Sequence, residues 1–372
     1  MKIRGAVLEE MGRERPYTQS QPISLSEVDL EGPGPTELLV KMEAAGVCHS
    51  DLSVVDGNRP RPIPMLLGHE ACVRVEEVGA EVEGFSVGDR VVMSFLPRCG
   101  ECEACLTDGR LPCTIGSKVN NDGVMMSGKI SLSRDGERIY HHLGVSGFAT
   151  HAVVDYRSAV VVPDELPADV AAVLGCAVLT GGGAVLNAAK PGPDDSVMIV
   201  GLGGVGMAAL LVALTQDVKE VIAVDALESK LERALELGAT RAYTPAQVAE
   251  QGIMADRVIE AAGHVKAFET AYGAVAVGGM LVTVGLPPAT AKSEIAPLNL
   301  TAGARTVVGS YLGSAVPTRD IPKYADLYLN GSLRVDELIS SRINFEDINM
   351  AMDNLADGKA IRQVIIFDSE EE

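Results

Sequence analysis

The sequence predicts an α/β protein: a doubly wound parallel sheet preceded by a β-rich first part. Three observations carry this reading. The first 150 residues hold short apolar runs separated by Gly, Pro and Asp turns, and from Ser196 strands alternate with helices. A glycine-rich turn, Gly201-Leu202-Gly203-Gly204-Val205-Gly206, sits between one such strand and helix. Alternation of strand and helix demands right-handed crossovers, and therefore a parallel sheet. A chain of 372 residues exceeds what one core usually serves, so two domains are expected.

In chain order, residues 38–42, 72–78 and 90–95 read as strands of the first part. Residues 197–200 form a buried strand, 203–216 a helix, 220–225 a strand, and 228–237 a helix stopped by Gly238. Further strands are expected at 257–260, 280–284 and 306–309, with a helix over 265–275. Together these make a doubly wound unit of about 130 residues, an ordinary domain size. Beyond Gly313 the pattern is less regular, with a helix near 321–330 and a last strand at 363–367 returning to the first domain.

Charge narrows the partners. A formal net charge of −20 opposes nucleic-acid binding, since phosphate backbones are held by clustered Lys and Arg. Residues 170–189 and 196–216 are uncharged and near membrane-spanning length, but glycines interrupt both, so no membrane partner is expected. Residues 1–10 are mixed and charged, unlike a signal peptide, which points to a cytoplasmic protein. Only the acidic Ser369-Glu370-Glu371-Glu372 tail has a disordered composition.

The glycine turn has the spacing of a dinucleotide-binding fingerprint in its required context. Gly201 makes the tight turn, Gly203 lets backbone approach a pyrophosphate, Gly206 lets helix pack on strand, and the helix N-terminus offers N–H groups from Gly204 and Val205. Asp225 ends the next strand, where a carboxylate accepts from ribose hydroxyls and repels a 2′-phosphate. NAD is therefore expected over NADP.

Seven cysteines are an odd number, and four of them crowd together as Cys99, Cys102, Cys105 and Cys113. At this length metal ligation explains them better than a disulfide scaffold. Four thiolates close a tetrahedral zinc and leave no open position, hence a structural site; an iron–sulfur cluster is the alternative chemistry. Cys48 and His69 stand in other contexts, Cys48-His49-Ser50-Asp51 and Gly68-His69-Glu70, and Cys176 has a spacing that announces nothing. Cys72 reads as a small buried hydrophobe, and His141 and His142 as core or surface histidines.

These segments, with Gly88-Asp89-Arg90-Val91 and Gly358-Lys359-Ala360-Ile361-Arg362, fall in the order and spacing of a known family. The whole chain resembles the zinc-dependent medium-chain alcohol dehydrogenases, particularly their long-loop, liver-type group. The resemblance implies a zinc-binding GroES-like catalytic domain over residues 1–177 and 312–372 and a Rossmann-type NAD domain over 178–311. It implies a catalytic zinc on Cys48, His69 and Cys176, a structural zinc on the four-cysteine loop, and a homodimer. Asp51 resembles the carboxylate that orients the ligand histidine. Glu70 is similar to an acid that approaches the metal, and Ser50 to the hydroxyl that takes up the alcohol proton. His49, Arg362, Thr180 and Lys230 match cofactor-contacting positions; Phe95 and Leu286 match walls of an apolar substrate pocket.

The activity so implied is reversible oxidation of a primary or secondary alcohol to an aldehyde or ketone, with hydride passing from a zinc-held alkoxide to NAD. Complete ligand and relay positions oppose two rivals: a reductase lacking catalytic zinc and a non-catalytic scaffold. One departure touches the proton path, because Ser53 occupies the place where many members carry a histidine.

Overall fold

Leu38, Val40 and Met42 turn inward at alternate positions of an eleven-residue strand, Glu37–Val47, and after a shift in register Ala45 and Val47 join the same core, the pattern of a sheet with one face on a core. This strand belongs to the first of two units in a computed structural model that describes residues 1–367; the acidic Ser369–Glu372 tail lies outside the described residues. Residues 1–176, 317–329 and 339–367 form the first unit, and residues 177–316 and 330–338 the second. The expected return of the chain after residue 312 is thus interrupted: 312–316 and 330–338 group with the second unit.

Ten strands lead the first unit: β1 Lys2–Leu8, β2 Ile23–Leu30, β3 Glu37–Val47, β4 Met65–Leu66, β5 Ala71–Val78, β6 Arg90–Met93, β7 Leu132–Arg134, β8 Glu137–His141, β9 His151–Asp155 and β10 Ala159–Val161. β1, β2, β7, β8 and β4 close into a barrel. The others form a sheet ordered β10, β6, β5, β3, then the C-terminal strands Gln363–Ile366 and Ser341–Ile343, with β9 also on β3. The expected strand at 90–95 stops at Met93. One core, including Leu38, Val40, Met65, Val73, Val91, Phe148 and Ile365, lies against these sheets.

In the second unit six parallel strands run in the order β13, β12, β11, β14, β15, β16, where β11 is Ser196–Val200, β12 Glu220–Val224, β13 Arg241–Tyr243, β14 Ala255–Glu260, β15 Val275–Thr283 and β16 Thr306–Gly309. The central β11 is buried at every position, as a strand covered on both faces requires. Helix Gly204–Ala213 is apolar throughout and correspondingly buried; it stops short of residue 216. Helix Glu228–Leu237 buries only Leu231, Ala234 and Leu237 and ends at Gly238 with φ 115°, as expected from the sequence. The short strand β13 and helix Pro245–Gln251 were not foreseen, since neither carries a run of apolar residues.

The largest departure from the sequence expectation is helix Ala168–Ala189, which runs unbroken through Gly175, Gly181, Gly182 and Gly183. It is long and apolar enough to cross a membrane by length and composition, and 89% of its apolar window is buried within the protein. The glycines bring it against neighbouring backbone. A Cβ on Gly175 would lie 2.0 Å from the Met93 carbonyl oxygen, one on Gly181 2.2 Å from that of Val205, and one on Gly183 2.3 Å from that of Gly313. Close approach, not helix breaking, is what these residues supply.

Candidate active site

The site begins at a helix N-terminus. Cys48 is the N-cap of helix His49–Val55, and Asp51, three residues on, closes a capping box: Cys48 N–H donates to Asp51 Oδ2 at 2.9 Å. The Cys48 side chain is thereby fixed by the same turn that buries Asp51, which is fully inaccessible. His49 is exposed and Ser50 half-buried at the start of this helix.

Gly68, with φ 91°, leads into His69-Glu70, and a Cβ there would come within 2.4 Å of Phe148 N. Only glycine tolerates that position. His69 and Glu70 are both inaccessible, and Gly46 leaves room for the Glu70 carboxylate, whose Oε1 would be 2.7 Å from a Cβ on Gly46. Cys176 comes from helix Ala168–Ala189, in the π-helical turn Leu174–Val178 that Gly175 seats on β6. One donor atom each from Cys48, His69, Glu70 and Cys176 lies within 4.8 Å of the others.

Hydrogen bonds select which atoms remain available. His69 Nδ1 donates to Asp51 Oδ1 at 2.9 Å, leaving buried Nε2 with no hydrogen-bond partner. Arg362 is buried as well; its Nη1 donates to Glu70 Oε2 at 3.1 Å and to the Val47 carbonyl at 3.3 Å. The guanidinium given by resemblance to a pyrophosphate is therefore also a partner of Glu70. Two thiols, an imidazole nitrogen without a partner and a nearby carboxylate are a donor set suited to zinc.

Titration in this cluster follows from burial and pairing. Burial alone would raise Asp51, but the His69 charge and its contacts with His142 and His69 outweigh it and bring the carboxyl to about 2. Burial opposes a charged His69, yet the Asp51 anion raises it well above the ordinary histidine value. Contact between Cys176 and Cys48 holds Cys48 low and Cys176 high. Burial carries Glu70 to about 8, with Arg362 opposing.

Cys99, Cys102, Cys105 and Cys113 form a second cluster, all four donor atoms within 4.8 Å of one another. The sulfur separations are 3.8 Å for Cys99 to Cys105 and 3.9 Å for Cys102 to Cys113. A tetrahedron with metal–sulfur bonds of about 2.3 Å has edges of about 3.8 Å. Backbone N–H groups of Cys102 and Gly116 donate to the Cys99 and Cys113 sulfurs at 3.3 Å.

In the second unit Gly201 holds φ 91° and Gly206 packs so closely that a Cβ would lie 1.7 Å from the Gly201 carbonyl oxygen. Gly203 is different, since a Cβ there meets nothing within 4 Å. It is the N-cap of helix Gly204–Ala213 with no side-chain cap, so open backbone and free N–H groups face the same place. Asp225 follows β12 directly; Oδ2 accepts from Leu202 N–H at 2.7 Å and Oδ1 from Leu227 N–H at 3.0 Å. This cradle fits a dinucleotide.

Residues 34–164 match the alcohol dehydrogenase GroES-like domain and residues 204–330 the zinc-binding dehydrogenase domain. Alcohol dehydrogenase B of Mycobacterium tuberculosis is 33% identical over 99% of both chains. The chain belongs to the zinc-dependent alcohol dehydrogenases. An NDMA-dependent alcohol dehydrogenase of Amycolatopsis methanolica is 35% identical over the whole of both chains. Among solved structures, the benzyl alcohol dehydrogenase of Acinetobacter calcoaceticus superposes with a TM-score of 0.90 at 31% identity, covering 99% of this chain and 100% of its own. An alcohol dehydrogenase zinc-binding domain protein of Burkholderia ambifaria gives 0.91 at 31% identity, covering 99% of each. The β-rich unit is accordingly GroES-like and the parallel sheet Rossmann-like.

The dehydrogenase carries further groups around His69. Phe95 meets its ring edge-on at 5.5 Å between centroids, and His142 does so at 5.3 Å. From the sequence His142 reads only as a core or surface histidine. In the fold it is buried, with Nδ1 3.2 Å from Asp51 Oδ1. No local spacing marks that contact. Thr180, Lys230 and Leu286 lie in the second unit; Thr180 is 8% exposed and Leu286 50% exposed. Ser53 donates its hydroxyl to the His49 carbonyl at 2.8 Å. Cys72 is buried as expected, but its sulfur lies 3.7 Å from Glu43 Oε2.

Proposed function

We propose that this dehydrogenase oxidises a primary or secondary alcohol to the aldehyde or ketone, reversibly, with NAD as hydride acceptor and two zinc ions per chain, one catalytic and one structural. The convergence of Cys48, His69 and Cys176, with His69 Nε2 left unpaired, carries the reading. We assign the zinc chemistry to the first unit and cofactor binding to the second.

Zinc held by Cys48, His69 and Cys176 would supply a Lewis acid that makes an alcohol proton easier to remove and a carbonyl easier to reduce. Asp51 orients His69 for that duty. Glu70, paired with Arg362, is the acid beside the ligands. Ser50, at the helix start next to Cys48, would take the alcohol proton through its hydroxyl. Ser53 cannot pass that proton on as a base, since a serine hydroxyl bonded to a carbonyl has no basic nitrogen. Thr180, Lys230, Asp225 and the Gly201–Gly206 turn of the second unit would hold the dinucleotide; His49 and Arg362 of the first unit are cofactor positions, and Phe95 and Leu286 apolar-substrate positions, by the resemblance alone. A cytoplasmic homodimer completes the reading on the resemblance.

One relative is named as NDMA-dependent, so the acceptor is what a test must decide. The experiment combines metal analysis with oxidation of alcohols of graded length and ring size, using NAD, NADP or NDMA. Two zincs per chain and NAD reduction are expected. One zinc per chain would overturn the catalytic site, and turnover with NDMA alone would overturn NAD as the free acceptor.

A further inference from the structure

β4 and β8 pair in parallel, Met65 opposite Tyr140 and Leu66 opposite His141. Parallel partners leave the sheet at the same end. The chain beyond β4 therefore presents His69 beside the residue that follows β8, which is His142. The two rings meet edge-on at 78° and share one carboxylate: Asp51 Oδ1 is 2.9 Å from His69 Nδ1 and 3.2 Å from His142 Nδ1.

The mount of His142 is rigid. Its N–H lies 3.2 Å from both the Leu66 carbonyl and Ser146 Oγ. The neighbouring His141 is locked at both nitrogens. Ser131 N–H donates to His141 Nε2 at 3.2 Å, and an amide can only donate, so the remaining proton sits on Nδ1 and points to Ser146 Oγ at 3.2 Å. His142 Nδ1 is buried and has no hydrogen-bond partner of good geometry among the described residues, which leaves Asp51 as the anion it faces.

We propose that His142 is a positioning residue of the metal centre: a second imidazole on Asp51 that holds the carboxylate where it orients His69. A fully buried anion keeps its place only as well as its donors do. Asp51 has the Cys48 amide on Oδ2 and the His69 N–H on Oδ1, and the His142 Nδ1 stands 3.2 Å from that same Oδ1. Without His142, Oδ1 loses one of the groups that fix its rotation, and the His69 ring turns more freely about its ligand direction. The loss appears as faster departure of the metal, since groups behind a ligand commonly govern affinity by about 10- to 100-fold.

This inference rests on the zinc site proposed above, and the test separates the two. Zinc release from the two-zinc protein into a chromogenic chelator is followed for wild type, His142→Phe and His142→Gln. A Cys48→Ser variant marks which phase belongs to the Cys48, His69 and Cys176 site. Phenylalanine keeps the edge-on ring and removes the N–H; glutamine keeps an N–H donor.

The expected result is at least about tenfold faster release from that site alone in H142F, with most of the slow release recovered in H142Q. Cobalt(II) loaded in place of zinc should also show a shifted visible band in H142F. H142F releasing zinc at the wild-type rate with an unshifted band overturns the inference, as does equal acceleration in H142F and H142Q. If H142F does not fold, His142→Leu supplies the variant without a donor. Wild type holding a single zinc overturns the site and this role together; two zincs with an indifferent H142F overturn only the role.

Discussion

Asp51 Oδ1 accepts from His69 Nδ1 at 2.9 Å, inside a site where neither side chain reaches solvent. The same carboxylate caps Cys48 through its other oxygen, so one acid braces two of the three proposed ligands. Asp51→Asn keeps the shape and removes the charge. It should weaken zinc at this site by about 10- to 100-fold, read by chelator competition, with the four-cysteine zinc retained. Unchanged affinity would show that His69 needs no anion behind it.

The two clusters should separate by mutation. Cys48→Ser is expected to abolish alcohol oxidation while the fold and one zinc remain. Cys102→Ser should remove the other zinc and lower the melting temperature, because a closed four-thiolate site contributes directly to folding. A C102S protein that melts like wild type would contradict a structural role.

Two glycines of the dinucleotide turn should respond differently to alanine. At Gly206 the added Cβ would sit 1.7 Å from a carbonyl oxygen, so G206A should lose both stability and NAD binding. At Gly203 the Cβ meets nothing within 4 Å and φ is −75°, so G203A should fold normally and lose NAD affinity alone. Thermal melting and NAD titration of both variants settle the comparison.

Asp225→Gly should shift preference from NAD toward NADP, measured as the ratio of kcat/KM values. It should also loosen the turn, since Leu202 and Leu227 both lose an acceptor for their N–H groups. An unchanged cofactor ratio would remove Asp225 from the cofactor site.

Burial holds the His141 imidazole down at about 4. Its folded value lies below the unfolded value of about 6.5, so the unfolded chain binds the extra proton between these limits. The stability from keeping it neutral is complete above that unfolded value and is lost as pH falls through about 4, amounting to about 3 kcal/mol. His141→Gln should be less stable at pH 7 and show a flatter decline of urea midpoint from pH 7 to 4. A parallel decline would place the acid sensitivity elsewhere.

Local chemistry was legible in advance wherever short stretches of backbone decide the outcome. The Gly201–Gly206 turn, the four-cysteine loop and the parallel strands of the second unit could be read from residue spacing, because each closes over a few residues whose conformations are mutually constrained. Cys48, His69 and Cys176 have no such spacing rule and were reached through resemblance. Only the fold brings β3, the turn after β4 and the Ala168–Ala189 helix to one point. Tertiary contact likewise decided that Gly175, Gly181 and Gly183 serve close approach within a continuous helix, since a glycine's neighbours across space leave no local mark. His142 is the clearest case: its position opposite Asp51 depends on the parallel register of β4 and β8, a pairing between segments far apart in the chain.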